Sequence, residues 1–182
     1  MNFCSHCGAA VNHRVPEGDD RPRFVCDRCE RIHYENPKMV VGCIPEWENR
    51  ILLCRRSIEP RYGKWTLPAG YLETGETVIE GVEREAMEEA CADIEILSPY
   101  TLFSLPFISQ VYLIFRARLL NTNYRAGQES LEVALFAEDD IPWDDLAFLV
   151  VIETLKRYFE DRPGGFFPVH TGTISPPKRH RP

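Results

Sequence analysis

The sequence predicts an α+β fold, a sandwich of strands and helices preceded by a small cysteine-rich unit. Segments of alternating apolar and polar residues predict strands, and two segments with an apolar stripe at helical spacing predict helices. These strands and helices follow one another in an irregular order, which is typical of α+β proteins. A length of 182 residues suits one domain of ordinary size with a small appendage.

The composition is that of a soluble globular protein, with 44% hydrophobic and 27% charged residues. The net charge of −7 argues against a general nucleic-acid binder, because such a protein needs a positive surface to meet phosphates. No stretch approaches the roughly 18 apolar residues that a membrane helix needs. The first residues, MNFCSHCG, lack the basic and apolar segments of a secretory signal. We therefore expect a cytoplasmic protein with no membrane partner.

Two Cys-x-x-Cys pairs predict a zinc ribbon over residues 1–36. Their four thiolates can complete a tetrahedron of sulfur around one Zn²⁺ ion: Cys4, Cys7, Cys26 and Cys29. Disulfides are disfavoured in a chain without an export signal, and a catalytic thiol pair would not need a second copy. With four sulfur ligands the ion has no open position, so we expect it to stabilise the fold and to take no part in chemistry.

The remaining cysteines lie apart from one another among apolar residues. We expect them to be buried, inert thiols: Cys43, Cys54 and Cys91. The histidines near the ribbon are expected on the surface, because four sulfurs already satisfy Zn²⁺: His6, His13 and His33.

The first half of the larger domain predicts a hairpin followed by a helix. Residues 39–47 and 50–56 are apolar strands separated by a two-residue polar turn. Thr77, with Glu80 three residues later, forms a capping box, which marks the start of a helix that we expect to end near Cys91.

The second half predicts three more strands and a last helix. Residues 92–105, 109–120 and 133–137 alternate as strands do, and a wide apolar stripe predicts a helix over Trp143–Asp161. The chain after it is rich in Gly and Pro, which predicts an extended tail. The expected domain limits are 1–36 for the ribbon, 37–162 for the main domain and 163–182 for the tail.

The helix from Thr77 carries an unusual concentration of acid. Glu85, Glu88 and Glu89 fall within an arc of about 100° when the residues are placed on a helix. Like charges at these spacings cost a few tenths of a kcal/mol each, so the arrangement is unfavourable unless a positive group joins it. Carboxylate oxygens are the ligands that Mg²⁺ and Mn²⁺ prefer. The alternative is a solvated acidic face with no ligand.

The residues before the helix extend this pattern into a motif with the spacing G-x5-E-x7-R-E-x2-E-E. Its members are Gly70, Glu76, Arg84, Glu85, Glu88 and Glu89. The motif resembles the signature of the Nudix hydrolases, and the resemblance covers roughly Lys38 to Asp161. Family members with an N-terminal zinc ribbon also exist. The sequence departs from the signature at its end, where Cys91 replaces the usual Gly and Ala92 replaces a larger apolar residue.

The resemblance implies an α/β/α sandwich with a mixed sheet and a hydrolase that cleaves nucleoside diphosphates linked to another group. It implies that Glu85, Glu88 and Glu89 bind catalytic Mg²⁺ or Mn²⁺. Glu76 would pair with Arg84 and so fix the loop against the helix. The remaining signature residue, Gly70, would give its carbonyl to the metal or allow a close approach of the chain. A homodimer is a further possibility that the family suggests.

Two further sets of residues are candidates for substrate binding and proton transfer. Arg55 and Arg56, at the end of a strand, can bind phosphate oxygens, or they are ordinary exposed charges. Glu129 and Glu132 lie where many Nudix members carry a general base, and we slightly favour Glu132. Either acid can equally be an ordinary loop residue, and some family members use a signature glutamate instead.

The absence of one family motif narrows the range of candidate substrates. Zinc-ribbon Nudix members that hydrolyse NADH usually carry Gln-Pro-Trp-Pro-Phe-Pro-x-Ser after the signature, whereas this chain has LPFISQVYLIF. This favours FAD or ADP-ribose over NADH. Aromatic residues that could stack on a substrate ring are Tyr34, Trp47, Tyr62, Trp65 and Phe107. The alternative function is a non-catalytic nucleotide sensor whose ribbon engages a partner, although a sensor would more readily lose one of the acids.

Overall fold

The computed structural model describes residues 1–176. The chain folds as two compact units, Met1–Pro37 and a larger one that begins at Lys38. None of the helices in the described part is both long and apolar enough to span a membrane. The last six residues of the predicted tail, 177–182, lie outside the described residues.

The smaller unit is a three-stranded antiparallel sheet with two cysteine turns. Its strands are β1 (Val11–Arg14), β2 (Arg23–Cys26) and β3 (Ile32–His33), in the order β1-β2-β3. Each Cys-x-x-Cys pair is followed by a residue with positive φ, Gly8 at 72° and Glu30 at 57°. The backbone N–H of Gly8 donates to the carbonyl of Cys4, and that of Glu30 to the carbonyl of Cys26. These tight turns bring both cysteines of each pair to one side.

The larger unit has eight strands and two α-helices within the described residues. The strands are β4 (Lys38–Trp47), β5 (Arg50–Arg56), β6 (Trp65–Thr66), β7 (Ala69–Tyr71), β8 (Ile94–Leu105), β9 (Gln110–Leu119), β10 (Ser130–Phe136) and β11 (His170–Thr173). The helices are α1 (Val78–Ala90) and α2 (Leu149–Asp161).

The eight strands form one mixed sheet, in which six follow the order β10-β5-β4-β9-β8-β11. The two short strands lie off this path, with β6 paired to β5 and β7 paired to β4. Strand β4 runs parallel to β9, and β11 runs parallel to β8, while the other pairs are antiparallel. The first half of β4 pairs with β7, but its last two residues pair with β5. Because β4 changes partner along its length, the segment before α1 lies at the sheet, where it can meet side chains of the helix.

The two helices pack on opposite sets of strand side chains. Alternate residues of β4 and β9, among them Val41 and Phe115, pack with Val82 and Ala86 of α1. Residues of the other parity, such as Ile44, pack in the larger cluster that contains most of the apolar face of α2. Successive side chains of a buried strand point to opposite faces of the sheet, so each strand contributes to the packing of both helices. The predicted α/β/α sandwich with a mixed sheet is confirmed.

Helix α1 begins as the capping box predicts. The backbone N–H of Glu80 donates to the Thr77 hydroxyl at 3.2 Å, and Glu80 accepts from the Thr77 N–H at 2.7 Å. The helix ends at Ala90, and Cys91 adopts the left-handed conformation with φ 45°. This conformation explains why glycine is usual at position 91 in the family, because glycine has no Cβ to strain it.

Helix α2 begins later than the sequence predicts, at Leu149 rather than Trp143. Residues Trp143–Asp145 form one short 3₁₀ turn, and the chain is extended after it. There the N–H of Ala147 donates to the carbonyl of Trp65 at 2.8 Å, and Leu146 forms an isolated bridge to the same residue. This pairing with a distant strand prevents the helix from starting earlier.

Within the predicted extended tail, residues 170–173 form strand β11 in the main sheet. His170 pairs with Thr101 of β8, and its Nε2 lies 2.7 Å from an Asp161 carboxylate oxygen that also accepts from the Tyr100 hydroxyl. Phe167 stacks on Tyr158 of α2. These contacts hold the segment against the fold. The domain limits proposed from the sequence stay predictions.

Candidate active site

The signature acids lie on the C-terminal half of α1, where two of their side chains approach the backbone of β7. Glu85 and Glu89 are buried, with 7% and 6% of their surfaces exposed, whereas Glu88 is exposed. A Cβ at Gly70 would lie 2.3 Å from Glu85 Oε1, so only glycine lets this carboxylate approach the strand. The backbone N–H of Ala69 donates to Glu89 Oε2 at 3.2 Å. The absence of a Cβ at Gly70 therefore leaves room for the Glu85 carboxylate beside β7.

Arg84 ties the loop before α1 to the helix. Its Nε donates to Glu76 Oε2 at 3.0 Å and its Nη2 to Glu76 Oε1 at 2.8 Å, a two-point pair. The Nη2 also donates to the carbonyl of Tyr71 at 3.0 Å. The guanidinium, together with the backbone N–H of Glu73, holds the pKa of Glu76 down to about 2. These contacts fix the loop to the helix.

Burial disfavours the charged form of the two buried carboxylates, Glu85 and Glu89. It raises the pKa of Glu89 to about 8, and the negative charge of Glu85 adds to this shift. Burial also raises the pKa of Glu85, although Arg84 acts in the opposite direction. Two buried acids in one place need a positive partner to ionise together. Their hard oxygen atoms fit a divalent cation such as Mg²⁺ or Mn²⁺.

The acids line a cleft with a volume of about 1390 Å³. Its lining includes the three glutamates and Arg84, three basic residues from the end of β5 and the loop after it, and the chain that leads into α2. The basic residues are Arg56, Arg61 and Lys64. A cleft that joins carboxylates and cations is suited to a ligand with both a metal-binding and an anionic group.

The structure separates the two arginines proposed for phosphate binding. Arg56 lines the cleft, with its Nε bonded to the carbonyl of Pro60 at 2.9 Å and its guanidinium 5.2 Å from the centre of the Phe148 ring. Arg55 does not line the cleft. Its Nε donates to the carbonyl of Gly63, and its Nη1 lies 3.5 Å from Glu132. Only Arg56 is placed to meet a ligand in the cleft.

The two candidate general bases are also separated. Glu129 lies in the lining of the cleft, and its charge contributes to raising the pKa of Glu89 after the larger effects of burial and Glu85. Glu132 lies outside the lining, on β10 opposite Arg55. A bulge between Ser130 and Glu132 changes the register of β10, so that Glu132 pairs with Arg55 on β5. The geometry supports Glu129 rather than Glu132.

The lining contains residues that the sequence did not single out. Tyr71, Tyr112 and Phe148 contribute aromatic surface, and Arg61 and Lys64 contribute charge. Of the aromatic residues proposed from the sequence, only Phe107 lines the cleft. Trp47 and Trp65 pack in apolar clusters, Tyr34 lies in the smaller unit and Tyr62 is outside the lining. The position of Lys64 and Arg61 in a Gly- and Pro-containing loop after the strand was an available signal.

The four N-terminal cysteines converge as predicted. Their sulfur atoms all lie within 4.8 Å of one another, with 3.7 Å between Cys4 and Cys29 and 3.5 Å between Cys7 and Cys26. Sulfur ligands about 2.3 Å from a tetrahedral Zn²⁺ have a similar mutual spacing. The backbone N–H of Cys29 is the main group that lowers the pKa of Cys26 to about 7, which favours the thiolate. The donor set fits a structural zinc ion.

The other cysteines and His33 need two corrections. Cys43 and Cys54 are buried as expected, and burial raises the pKa of both thiols. Cys91 is only half-buried and lines the cleft. His33 is not simply a surface residue, because its Nε2 lies 3.3 Å from Cys4 Sγ. It contacts a ligand candidate without being one of the four converging groups.

Comparisons with known families match both parts of the chain. A family model described as Nudix N-terminal matches residues 2–35, and one described as NUDIX domain matches residues 36–154. Among solved structures, the crystal structure of a NUDIX hydrolase from Nitrosomonas europaea is similar, with a TM-score of 0.93 and 56% sequence identity. The similarity covers 96% of this chain and 99% of that one.

Two kinds of curated protein are also similar. An ADP-ribose pyrophosphatase from Methanocaldococcus jannaschii is 31% identical over 113 residues, which are 60% of this chain and 67% of that protein. An NAD-capped RNA hydrolase, NudC, from Salmonella heidelberg is 29% identical over 146 residues, or 77% of this chain and 53% of that protein. The chain therefore spans about half the length of the NudC relative.

Proposed function

The chain belongs to the Nudix family, and on that premise we propose that it is a metal-dependent hydrolase of a nucleoside diphosphate linked to another group. The observation that carries the proposal is the convergence of Glu85, Glu88 and Glu89 in one cleft with Arg56. Two of these acids are buried and have raised pKa values. Such an arrangement is unfavourable unless a positively charged ligand compensates the carboxylates.

We propose that the three signature glutamates hold Mg²⁺ or Mn²⁺. When bound, such an ion would neutralise the charge of the diphosphate and activate the attacking water. The protein's own contribution is to hold the carboxylates in place: Gly70 admits Glu85 beside β7, and the Ala69 N–H orients Glu89. The Glu76–Arg84 pair keeps the loop and the helix together while the substrate binds and leaves.

Proton transfer is assigned to Glu129. A general base must lie within hydrogen-bond reach of the attacking water, and Glu129 is an exposed carboxylate in the lining of the cleft. Gly127, two residues earlier, fixes this loop to α1, because its N–H donates to the carbonyl of Glu89 at 3.0 Å. Glu129 is thus the acid best placed to accept the proton, and Glu132 is not needed for it.

The phosphates are assigned to Arg56, with Arg61 as a second contact. The guanidinium of Arg56 can donate two parallel N–H bonds to phosphate oxygens, a geometry that a lysine ammonium lacks. Its bond to the Pro60 carbonyl uses only Nε. The remaining N–H groups are available for a substrate.

FAD or ADP-ribose is the favoured substrate class. The similarity to an ADP-ribose pyrophosphatase supports this proposal, and so does the missing Gln-Pro-Trp-Pro-Phe-Pro-x-Ser stretch. The similarity to NudC proteins keeps NADH and NAD-capped RNA in the test as a second candidate. Aromatic groups in the cleft, including Phe107, Tyr112 and Phe148, offer surfaces for a nucleoside or flavin ring.

The structural zinc proposal concerns the smaller unit only. Cys4, Cys7, Cys26 and Cys29 would hold Zn²⁺ with no ligand position left for substrate. We therefore assign the ribbon a role in stability.

The test of the proposed function is a substrate panel with matched variants. ADP-ribose, FAD, NADH, NAD-capped RNA and nucleoside triphosphates are incubated with the protein and Mg²⁺ or Mn²⁺, and products are identified by chromatography. We expect cleavage at a diphosphate bond, and we expect Glu88→Gln and Glu89→Gln to lower its rate at least about a hundredfold, the scale of losing one catalytic electrostatic group. Glu83→Gln, an exposed acid on the same helix, is the control and should retain the wild-type rate.

Two outcomes would count against the proposal. If both signature variants keep the wild-type rate, the acids are not catalytic. If the wild-type protein binds nucleotides without cleaving any of them, the sensor function is the better description.

A further inference from the structure

Arg84 contacts more than its signature partner. One edge of its guanidinium, Nε and Nη2, is bonded to Glu76. The remaining nitrogen, Nη1, donates to Glu85 Oε1 at 2.7 Å and to Glu88 Oε2 at 3.0 Å. The same side chain therefore fixes the loop and bridges two of the three acids proposed to hold the catalytic cation.

We propose that Nη1 of Arg84 competes with the divalent cation for Glu85 and Glu88, so that Arg84 sets how tightly the site binds its ion. This inference rests on the proposed function, because it requires that these acids bind metal. It goes beyond the role of Arg84 in fixing the loop, since it gives the second edge of the guanidinium a separate effect on affinity.

The competition follows from the atoms involved. Glu85 Oε1 is a short, charge-assisted contact of Nη1, and Glu85 is 7% exposed, so water has little access to replace a lost donor. A cation that takes this oxygen must share it with the guanidinium or displace Nη1. Both groups are positive, so sharing also brings like charges together.

The pair with Glu76 makes the competition persistent. Because Nε and Nη2 are held at two points, and Nη2 also reaches the Tyr71 carbonyl, the guanidinium cannot swing far from Glu85. An arginine that was free to rotate would leave the acids when a cation arrived. The fixed arginine instead stays beside the carboxylates and keeps them charged and aligned. Cation binding is therefore weaker than it would be without this arginine.

The decisive variant is Arg84→Lys, which keeps the charge. A lysine ammonium is a single point of donation and cannot hold Glu76 at two points while bridging Glu85 and Glu88. We expect Mg²⁺ and Mn²⁺, titrated calorimetrically into purified protein without substrate, to bind about tenfold more tightly to this variant than to the wild type, the scale of one charge-assisted hydrogen bond. Urea unfolding confirms that each variant is folded.

The companion variant is Glu76→Gln, which weakens the two-point hold on Nε and Nη2. Because the freed guanidinium can leave the acids when a cation arrives, we expect this variant also to bind the cations more tightly than the wild type. If Arg84 only fixes the loop, both variants should weaken binding. Equal or weaker cation binding by Arg84→Lys would therefore overturn the inference. If Arg84→Lys does not fold, Arg84→Gln is used, and binding no tighter than wild type overturns it in the same way.

The wild-type titration separates this inference from the proposed function. If the wild type binds cations and cleaves substrate while Arg84→Lys gains no affinity, only the competition is wrong. If the wild type neither binds the cations nor cleaves any substrate, both proposals fail.

Discussion

At the residue scale, the site depends on backbone positions as much as on acids. Gly70 leaves room for the Glu85 carboxylate, and a Cβ there would meet all three atoms of that group within 2.5 Å. Cys91 illustrates the reverse case, because it holds a left-handed conformation, φ 45°, that L residues adopt at a cost. Residue identity is therefore constrained by local geometry both before and after the acidic helix.

Replacing Cys91 with glycine should stabilise the protein. Glycine adopts the left-handed conformation without strain, and we expect a gain of about 1 kcal/mol in the free energy of unfolding, or about 2–4 °C in Tm. Thermal and urea unfolding measure the change. Cys91→Ala is the control: it removes the thiol but keeps the strain, so it should gain little. Equal stabilisation by alanine and glycine would show that strain is not the cause.

The Glu76–Arg84 pair predicts a pH dependence of stability. The pKa of Glu76 in the folded protein, about 2, lies below its ordinary value of 4.5. The pair's contribution to the free energy of unfolding is therefore complete above pH 4.5 and is lost as the pH falls toward 2. The difference in unfolding free energy between the wild type and Glu76→Gln should thus be largest near neutral pH and shrink below pH 4.5. Urea unfolding over a pH series measures it.

The exposed Glu83→Gln variant is the control for this series, and its difference from the wild type should stay small throughout. A Glu76→Gln difference that persists undiminished to pH 2 would contradict the assignment of the low pKa to Glu76.

Local spacing in the sequence determines how the signature acids are grouped, but it does not determine where the neighbouring side chains lie. Fixed helical spacing places Glu85, Glu88 and Glu89 on one arc without any tertiary information. The choice between Glu129 and Glu132 depends on a bulge in β10, and the separation of Arg55 from Arg56 depends on alternation at the end of a strand. Such local register is set by pairing with β5, which the sequence pattern does not contain.

At the element scale, the loop before β10 closes the end of α1. The N–H of Arg125 donates to the carbonyl of Ala90 and that of Gly127 to the carbonyl of Glu89, which satisfies two carbonyls that the helix leaves open. A Cβ at Gly127 would lie 1.7 Å from the backbone oxygen of Glu88. The loop that carries Glu129 is thus placed by direct contact with the helix that carries the other acids.

Gly127→Ala should damage both stability and catalysis. The new Cβ meets backbone rather than a flexible side chain, so the loop must move, at a cost of about 1–3 kcal/mol. We expect kcat to fall at least tenfold, with a smaller change in KM, because Glu129 is displaced. Gly164→Ala is the control, since a Cβ there meets nothing within 4 Å. If Gly127→Ala is destabilised but its kcat is unchanged, Glu129 is not the general base.

Elements with strong local signals were predicted, and those made by distant pairing were not. The capping box identified the start of α1, and two apolar segments joined by a polar turn identified the hairpin of β4 and β5. The start of α2 was misplaced because Leu146 and Ala147 pair with Trp65. Strand β11 has the sequence HTGT, whose glycine and short length give no strand signal, and only its pairing with β8 makes it a strand.

At the scale of the whole molecule, the two units draw stability from different sources. The larger unit has three apolar clusters around its sheet. In the smaller unit the buried apolar residues are few: Cys4, Pro16, Val25 and Cys26. Below about 40 residues, a domain usually needs a metal or disulfides to fold. The convergence of four sulfurs supplies the means, which agrees with the prediction made from cysteine spacing alone.

Replacing Cys26 with serine should release zinc and unfold the smaller unit. Metal analysis of the purified protein should show about one zinc per wild-type chain, the stoichiometry of a four-cysteine site, and much less in the variant. Thermal unfolding should show lost stability, while the chemical step in the larger unit is not directly changed. Ser5→Ala, an exposed residue in the first cysteine turn, is the control. Full stability in a zinc-free Cys26→Ser protein would contradict a structural role.

The parallel pairing of β4 with β9 has a consequence for how the protein reaches its native state. Met39 lies beside Val111, and helix α1 belongs to the long stretch of chain between them. Joining such distant segments carries a large loop-closure entropy and slows folding. The acidic helix packs on both strands, so its full docking surface exists only once these two strands have paired. A nascent chain that stalls earlier would have every glutamate of the motif and still be inert.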